Sequence, residues 1–125
     1  MGKAETGQRG EALACQYLQD HGHLVLEKNC RKGHLEIDLI TLDATGIHFV
    51  EVKSRTAPVM APPQEHVGFI KQRRLSAAAQ RWLHSSRDPR IRFDMEVLFD
   101  IVAVTFDGPE TAIEYIPQAF IPIYT

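Results

Sequence analysis

The sequence predicts an α/β domain, a central mixed β-sheet flanked by helices, and three features carry that expectation. Two stretches, Glu5 to His21 and Gln64 to Ser85, have apolar residues at helical spacing. Two strand-like runs, Leu35 to Leu42 and Ile47 to Ser54, are joined by the turn-forming group Asp43, Ala44, Thr45 and Gly46. Val97 to Phe106 is a near-continuous apolar run suited to a buried strand. The order helix, strand, hairpin, helix, strand calls for a sheet covered by helices on both faces.

In the first helix Ala14, Cys15 and Leu18 share a stripe, and Gly22 is a natural stop. The His21 and His23 pair could bind a metal weakly, but it falls at that end and is expected in solvent, outside any site. Leu24 to Glu27 reads as a short strand before the hairpin. Thr56 to Pro63 holds three prolines and no periodicity, so it is expected as a loop. The second helix places Val67, Leu75, Ala78 and Trp82 on one stripe. After the long apolar strand, Asp107 and Gly108 make a turn, and Ile113 to Ile116 is expected as an edge strand.

The chain of 125 residues suits one domain, 1–125, and is too short for two independently stable ones. Its 44% hydrophobic and 24% charged content is that of a globular protein. No apolar run reaches the roughly 18 residues of a membrane span, and the polar opening from Met1 to Gly10 lacks a signal peptide's apolar region. No membrane partner and a cytoplasmic location are therefore expected. Cys15 and Cys30 have no CxxC spacing and read as reduced thiols. Net charge is only −2, but its distribution is uneven. Lys53 to Arg92 carries nine Lys or Arg against two acids, whereas Phe93 to Thr125 has six acids and no Lys or Arg. One part of the surface is therefore expected to be positive, either as a solvated helix face or as a phosphate-binding one.

The residues that carry chemistry lie in the hairpin. Period two puts Phe49, Glu51 and Lys53 on one face of their strand and Val50, Val52 and Ser54 on the other. A regular hairpin closed by the four-residue turn sets Asp38 opposite Glu51 and Glu36 opposite Lys53. Carboxylates facing each other across a ladder repel by up to about 1 kcal/mol even when exposed. Among apolar neighbours the pair makes more sense with a divalent cation between them. The rival is an ordinary solvent-facing side of a hairpin. Two helical charges weigh against that rival. Glu11 lies on the stripe of Ala14, Cys15 and Leu18, and Lys71 on that of Val67, Leu75, Ala78 and Trp82, so both are expected to point inward. A buried Glu11 requires a partner or an ion, whereas the Lys71 stem could snorkel.

Gly10-Glu11, Glu36-Ile37-Asp38-Leu39-Ile40, Phe49-Val50-Glu51-Val52-Lys53 with Arg55, Lys71 with Ala78, and Phe99-Asp100 before an apolar strand resemble the bacterial YraN family over nearly the whole chain. That family is similar to archaeal Holliday-junction resolvases and belongs to the restriction-endonuclease-like PD-(D/E)xK superfamily, whose fold the resemblance implies here. Two departures stand out. Leu35 replaces the glycine that usually precedes the first acid, and the family's Arg-Phe-Asp could correspond to Arg92-Phe93-Asp94 or to Leu98-Phe99-Asp100. The second is preferred because Ile101 to Val104 continue it as a strand, which leaves Leu98 in place of the arginine.

The resemblance implies a metal-dependent endonuclease acting on structured DNA, with Glu11, Asp38, Glu51 and Lys53 catalytic. Mg²⁺ or Mn²⁺ would be held by Asp38, Glu51 and the Val52 carbonyl, and Lys71, Arg73, Arg74 and Arg55 would hold the phosphate backbone. No aromatic code for reading bases is visible, so DNA shape is expected to set substrate choice. A homodimer is left open. The rivals are a non-catalytic nucleic-acid-binding module on the same fold and a protein-interaction domain.

Overall fold

The computed structural model describes residues 2–33, 35–59, 61–63 and 67–121. Its elements run α1 (Lys3–Asp20), β1 (Leu24–Lys32), β2 (Leu35–Asp43), β3 (Gly46–Thr56), α2 (Phe69–Ser85), β4 (Val97–Asp107) and β5 (Glu110–Phe120). The five strands form one sheet in the order β1-β2-β3-β4-β5. All neighbours are antiparallel except β3 and β4, which are parallel and joined through α2. This is the expected mixed α/β sheet with helices on both faces, an arrangement consistent with a restriction-endonuclease-like fold.

Alternation along the central strands sorts the core into two layers. On one face Ala14, Cys15 and Leu18 of α1 pack on Leu39, Val50, Val102, Val104 and Phe106. On the other, Leu75, Ala78, Ala79 and Trp82 of α2 pack on Ile40, Ile47, Phe49, Phe99 and Ile101. Both helix stripes are those that the 3.6-residue period gives. Close approach is built in at Gly10, where an added Cβ would sit 1.7 Å from the Ser54 hydroxyl oxygen. α1 therefore lies directly on β3, and the residue after Gly10 is Glu11. At the hairpin tip, a Cβ on Gly46 would meet the Glu96 carbonyl oxygen at 2.4 Å, so only glycine lets β4 start beside β3 there.

The edge strands depart from expectation. β1 extends to Lys32 instead of Glu27, and β5 spans Glu110–Phe120 instead of Ile113 to Ile116. Both have mostly polar or half-exposed side chains, because an edge strand is held by its ladder and leaves its outer face in water. α2 begins at Phe69, and the expected start at Gln64 lies outside the described residues. Among the described residues no helix is long and apolar enough to cross a membrane.

Candidate metal and phosphate site

The β2–β3 hairpin has the register expected from its turn, with Asp43 opposite Gly46 and Leu39 opposite Val50. Beyond Leu39 and Val50 the ladder stops. The Val52 N–H donates to Asp38 Oδ2 at 2.8 Å, so a side chain takes the place of a strand carbonyl. β2 stays with β1 instead, pairing out to Leu35 opposite Lys32. The expected Glu36–Lys53 pair therefore does not form: Glu36 is exposed, 4.0 Å from Arg31, and Lys53 meets Glu51. Face alternation also breaks here, since Leu39 packs under α1 while Ile37 packs under α2. Between Lys28 and Cys30 on the neighbouring strand, Asn29 has φ +50°, a conformation asparagine tolerates better than most residues.

The strand split opens a cleft on both sides of the sheet. Towards α1 lies a cavity of about 600 Å³ lined by Lys3, Thr6, Gly7, Glu11, Asp38, Glu51, Val52, Lys53, Ser54 and Thr56. Towards α2 lies one of about 290 Å³, where Asp38 and Glu51 are joined by Leu35, Glu36, Lys71, Arg74 and Leu75. Asp38 and Glu51 thus line both.

Their environment is electrostatically strained. Burial, followed by the Glu51 charge, pushes the Asp38 carboxyl up to about 7 despite the Val52 hydrogen bond. Glu51 is 8% exposed, and its Oε1 accepts from Lys71 and lies 3.4 Å from Lys53 Nζ. Burial lowers the Lys53 pKa, with Lys71 adding to the effect. Burial works against the charge on Lys71 too, but the hydrogen bond and charge of Glu51 outweigh it and raise its pKa. Burial also raises the Glu11 pKa, against the opposing hydrogen bond from Asn29. With its amide nitrogen turned inward, Asn29 donates to the two Glu11 oxygens at 3.2 and 3.0 Å. Left-handed Asn29 on the edge strand is thus the partner that a half-buried Glu11 needs.

Glu11, Asp38, Glu51, Val52 and Lys53 come together in one cleft, with Lys71 reaching in from α2. Lys71 meets Glu51 directly. Arg74 lines the α2 side of the cleft, and Arg73 is exposed, its guanidinium 5.9 Å from the Phe69 ring centroid. Arg55 turns away, donating to the Ala61 carbonyl at 2.6 Å and fixing the proline-rich loop. Asp94 is exposed beside Arg92, whereas Asp100 is buried in β4, where Ile101 to Val104 continue the strand.

A family model described as "Uncharacterised protein family UPF0102" matches residues 10–104. That span includes every residue of the cleft except Lys3, Thr6 and Gly7 of α1. The chain belongs to this family. A UPF0102 protein of Geobacter metallireducens is 44% identical over 116 residues, covering 91% of this chain and 90% of its own. Another, from Anaeromyxobacter dehalogenans, is 40% identical over 121 residues, 95% of this chain and 86% of its own. A third, from Bacteroides thetaiotaomicron, is 35% identical over 118 residues, 94% and 93% of the two chains. The resemblance to the YraN family is borne out along nearly the full length.

One constellation escapes sequence reasoning. His23 is not solvated as expected. It is 7% exposed, with Nδ1 2.7 Å from Thr41 Oγ1. Gly22 reverses the chain so that the residue after it turns under the sheet end, beside the His48 ring at a centroid distance of 4.6 Å. His48 is buried between two carboxylates, with Nε2 2.8 Å from Asp43 Oδ1 and Nδ1 2.5 Å from Asp100 Oδ2. Burial opposes its charge, but the hydrogen bonds to Asp100 and Asp43 outweigh that and raise its pKa. The signal available in the sequence was parity: His48 shares a face with Val50 and Val52, where a hydrophobe is expected.

Proposed function

We propose that the chain is a metal-dependent endonuclease that hydrolyses phosphodiester bonds in structured DNA. The observation that carries this reading is the meeting of Asp38 and Glu51 at the strand split, where burial and mutual repulsion hold the Asp38 carboxyl up to about 7. Two convergent carboxylates and a main-chain carbonyl form a hard oxygen donor set that a small divalent cation fits. Asp38, Glu51 and the Val52 carbonyl would hold Mg²⁺, or Mn²⁺ in its place. When bound, such an ion supplies a water of lowered pKa and neutralises charge on the scissile phosphate.

Lys53, beside Glu51, would hold its ammonium against the charge that develops on the phosphate oxygens. Glu11, oriented by Asn29, receives and orients water on the α1 side of the cleft. Arg73 and Arg74 give α2 a positive edge for the sugar-phosphate backbone, Lys71 holds Glu51, and Arg55 anchors the loop following β3. Contacts of this kind carry no base code, so junction or flap geometry would select the substrate.

The deciding experiment offers linear, flap and four-way DNAs with Mg²⁺ or Mn²⁺, using Glu51→Ala as the control. Cleavage of the branched substrates by wild type alone supports the reading. A second reading, DNA binding without turnover, is favoured by the Lys71–Glu51 ion pair, which satisfies that carboxylate without a metal. Salt-dependent DNA affinity with no cleavage of any substrate would establish it in place of the first.

A further inference from the structure

At the opposite end of the hairpin from Asp38 and Glu51, three ligand-type side chains converge from three segments. His23 precedes β1, Asp43 ends β2, and His48 lies near the start of β3. One ligand atom from each falls within 4.8 Å of the other two. His48 Nε2 is 2.8 Å from Asp43 Oδ1, and His23 Nε2 is 3.4 Å from Asp43 Oδ2. In a tetrahedral site with bonds of about 2.0–2.1 Å, ligand atoms stand about 3.3 Å apart, so small shifts would place all three around one ion.

The outer nitrogens supply an independent observation. Imidazoles that bind metals characteristically engage the other ring nitrogen with a carboxylate, carbonyl or water, which fixes the tautomer and aims the free nitrogen at the ion. Both rings are held in this way: His48 Nδ1 by Asp100, and His23 Nδ1 by the Thr41 hydroxyl. Asp100 is in turn fixed by the Tyr115 hydroxyl, donating at 2.6 Å, and by the Gln118 N–H, donating at 3.0 Å. His23 Nε2, in a residue 7% exposed, is left aimed at a carboxylate oxygen farther away than a good N–H···O bond allows. The Thr45 hydroxyl, 3.0 Å from His48 Nε2, stands where a fourth oxygen ligand or a water is needed.

We propose that His23, Asp43 and His48 form a second metal site, distinct from the carboxylate cleft, for a zinc-class transition metal. Two imidazoles and one carboxylate suit such an ion, whereas Mg²⁺ keeps to oxygen ligands. Asp43, its side chain 18% exposed, is the point of entry. The ion replaces the proton between His48 and Asp43 and ties the start of β1 to the hairpin.

The test uses the full chain, stripped of metal, in excess Mg²⁺ so that the oxygen-ligand cleft does not compete. Co²⁺ is titrated by visible absorption and then displaced by Zn²⁺. One equivalent with the intense bands of a tetrahedral centre is expected in wild type. His48→Gln and Asp43→Asn should each weaken binding at least 100-fold, and Tyr115→Phe should weaken it by about 10-fold through Asp100. Circular dichroism checks that each variant is folded. If His48→Gln does not fold, Asp43→Asn and Tyr115→Phe decide the matter. Absence of stoichiometric binding, or binding indifferent to the folded variants, overturns the site and leaves a hydrogen-bonded network carrying a proton. Neither result depends on whether the cleft cuts DNA.

Discussion

Glu51 and Lys53 stand two residues apart on β3 and point opposite charges into one cleft, so their losses should differ in kind. Glu51→Ala removes a proposed ligand, and the lost cleavage should return in part at high Mn²⁺ while Asp38 and the Val52 carbonyl remain. Lys53→Ala should remove the positive charge that the proposed reaction sets against its transition state, a loss typically of 10²-fold or more that added metal would not restore. Cleavage rates over a Mn²⁺ series check both, and equal rescue of the two would assign Lys53 no role beyond pairing with Glu51. Asp38 has a consequence of its own in metal-free buffer. Its folded pKa of about 7 lies above its ordinary 3.8, so between roughly pH 4 and 7 the folded chain binds more protons than the unfolded one. Its contribution to stability therefore falls as pH rises through that window and levels off above it. Asp38→Asn keeps an oxygen for the Val52 N–H and removes the charge. It should raise stability at pH 8 by on the order of 1 kcal/mol and give no gain at pH 4. Thermal melts at the two pH values test this, and an equal gain at both would mean that the carboxylate charge is not the cause.

Elements with strong periodicity were legible in the sequence, and those held only by hydrogen bonds were not. The stripes of α1 and α2, the hairpin register and the apolar β4 all follow from side-chain spacing. β1 beyond Glu27 and most of β5 do not, because polar edge strands carry no burial pattern. Within the site, Asp38, Glu51 and Glu11 were visible as charges in apolar surroundings. Asn29 was not, since its role depends on a left-handed backbone and on α1 lying close above it. The Glu36–Lys53 pair expected from regular pairing fails because the ladder ends where Asp38 captures the Val52 N–H. α2 carries a further prediction, since its two kinds of cation face different partners. Lys71 is committed to Glu51, whereas Arg74 lines the open α2 side of the cleft. Arg74→Ala should weaken binding to DNA of any sequence and lower the salt slope by about one unit. Lys71→Ala should change cleavage more than the slope. Fluorescence anisotropy over a salt series measures both slopes, and an unchanged slope for Arg74→Ala would remove α2 from the DNA interface.

On the scale of the whole molecule, the sheet separates two chemistries along one hairpin. Carboxylates collect where β2 and β3 part, and imidazoles collect at the tip where they are joined. Lys53, Lys71 and Arg74 border the split, whereas the sequence after Phe93 is acidic, so DNA approaching the split would meet favourable charge on the α2 side. An ion held only by the folded arrangement of Asp38 and Glu51 must also stabilise the entire domain, because the unfolded chain has no such site. At about 100 times the dissociation constant this amounts to about 2.7 kcal/mol. For a domain of this size that is a rise of roughly 10 °C in Tm. Mn²⁺ is the suitable probe, since it is the weakest of the first-row divalent ions at imidazole sites and will favour the carboxylate end. Wild type should therefore gain most of the expected rise, His48→Gln should gain the same amount from its own starting Tm, and Asp38→Asn should gain little. An equal rise in wild type and Asp38→Asn would place the Mn²⁺ elsewhere and remove Asp38 from the metal site, whatever the outcome of the cleavage experiments.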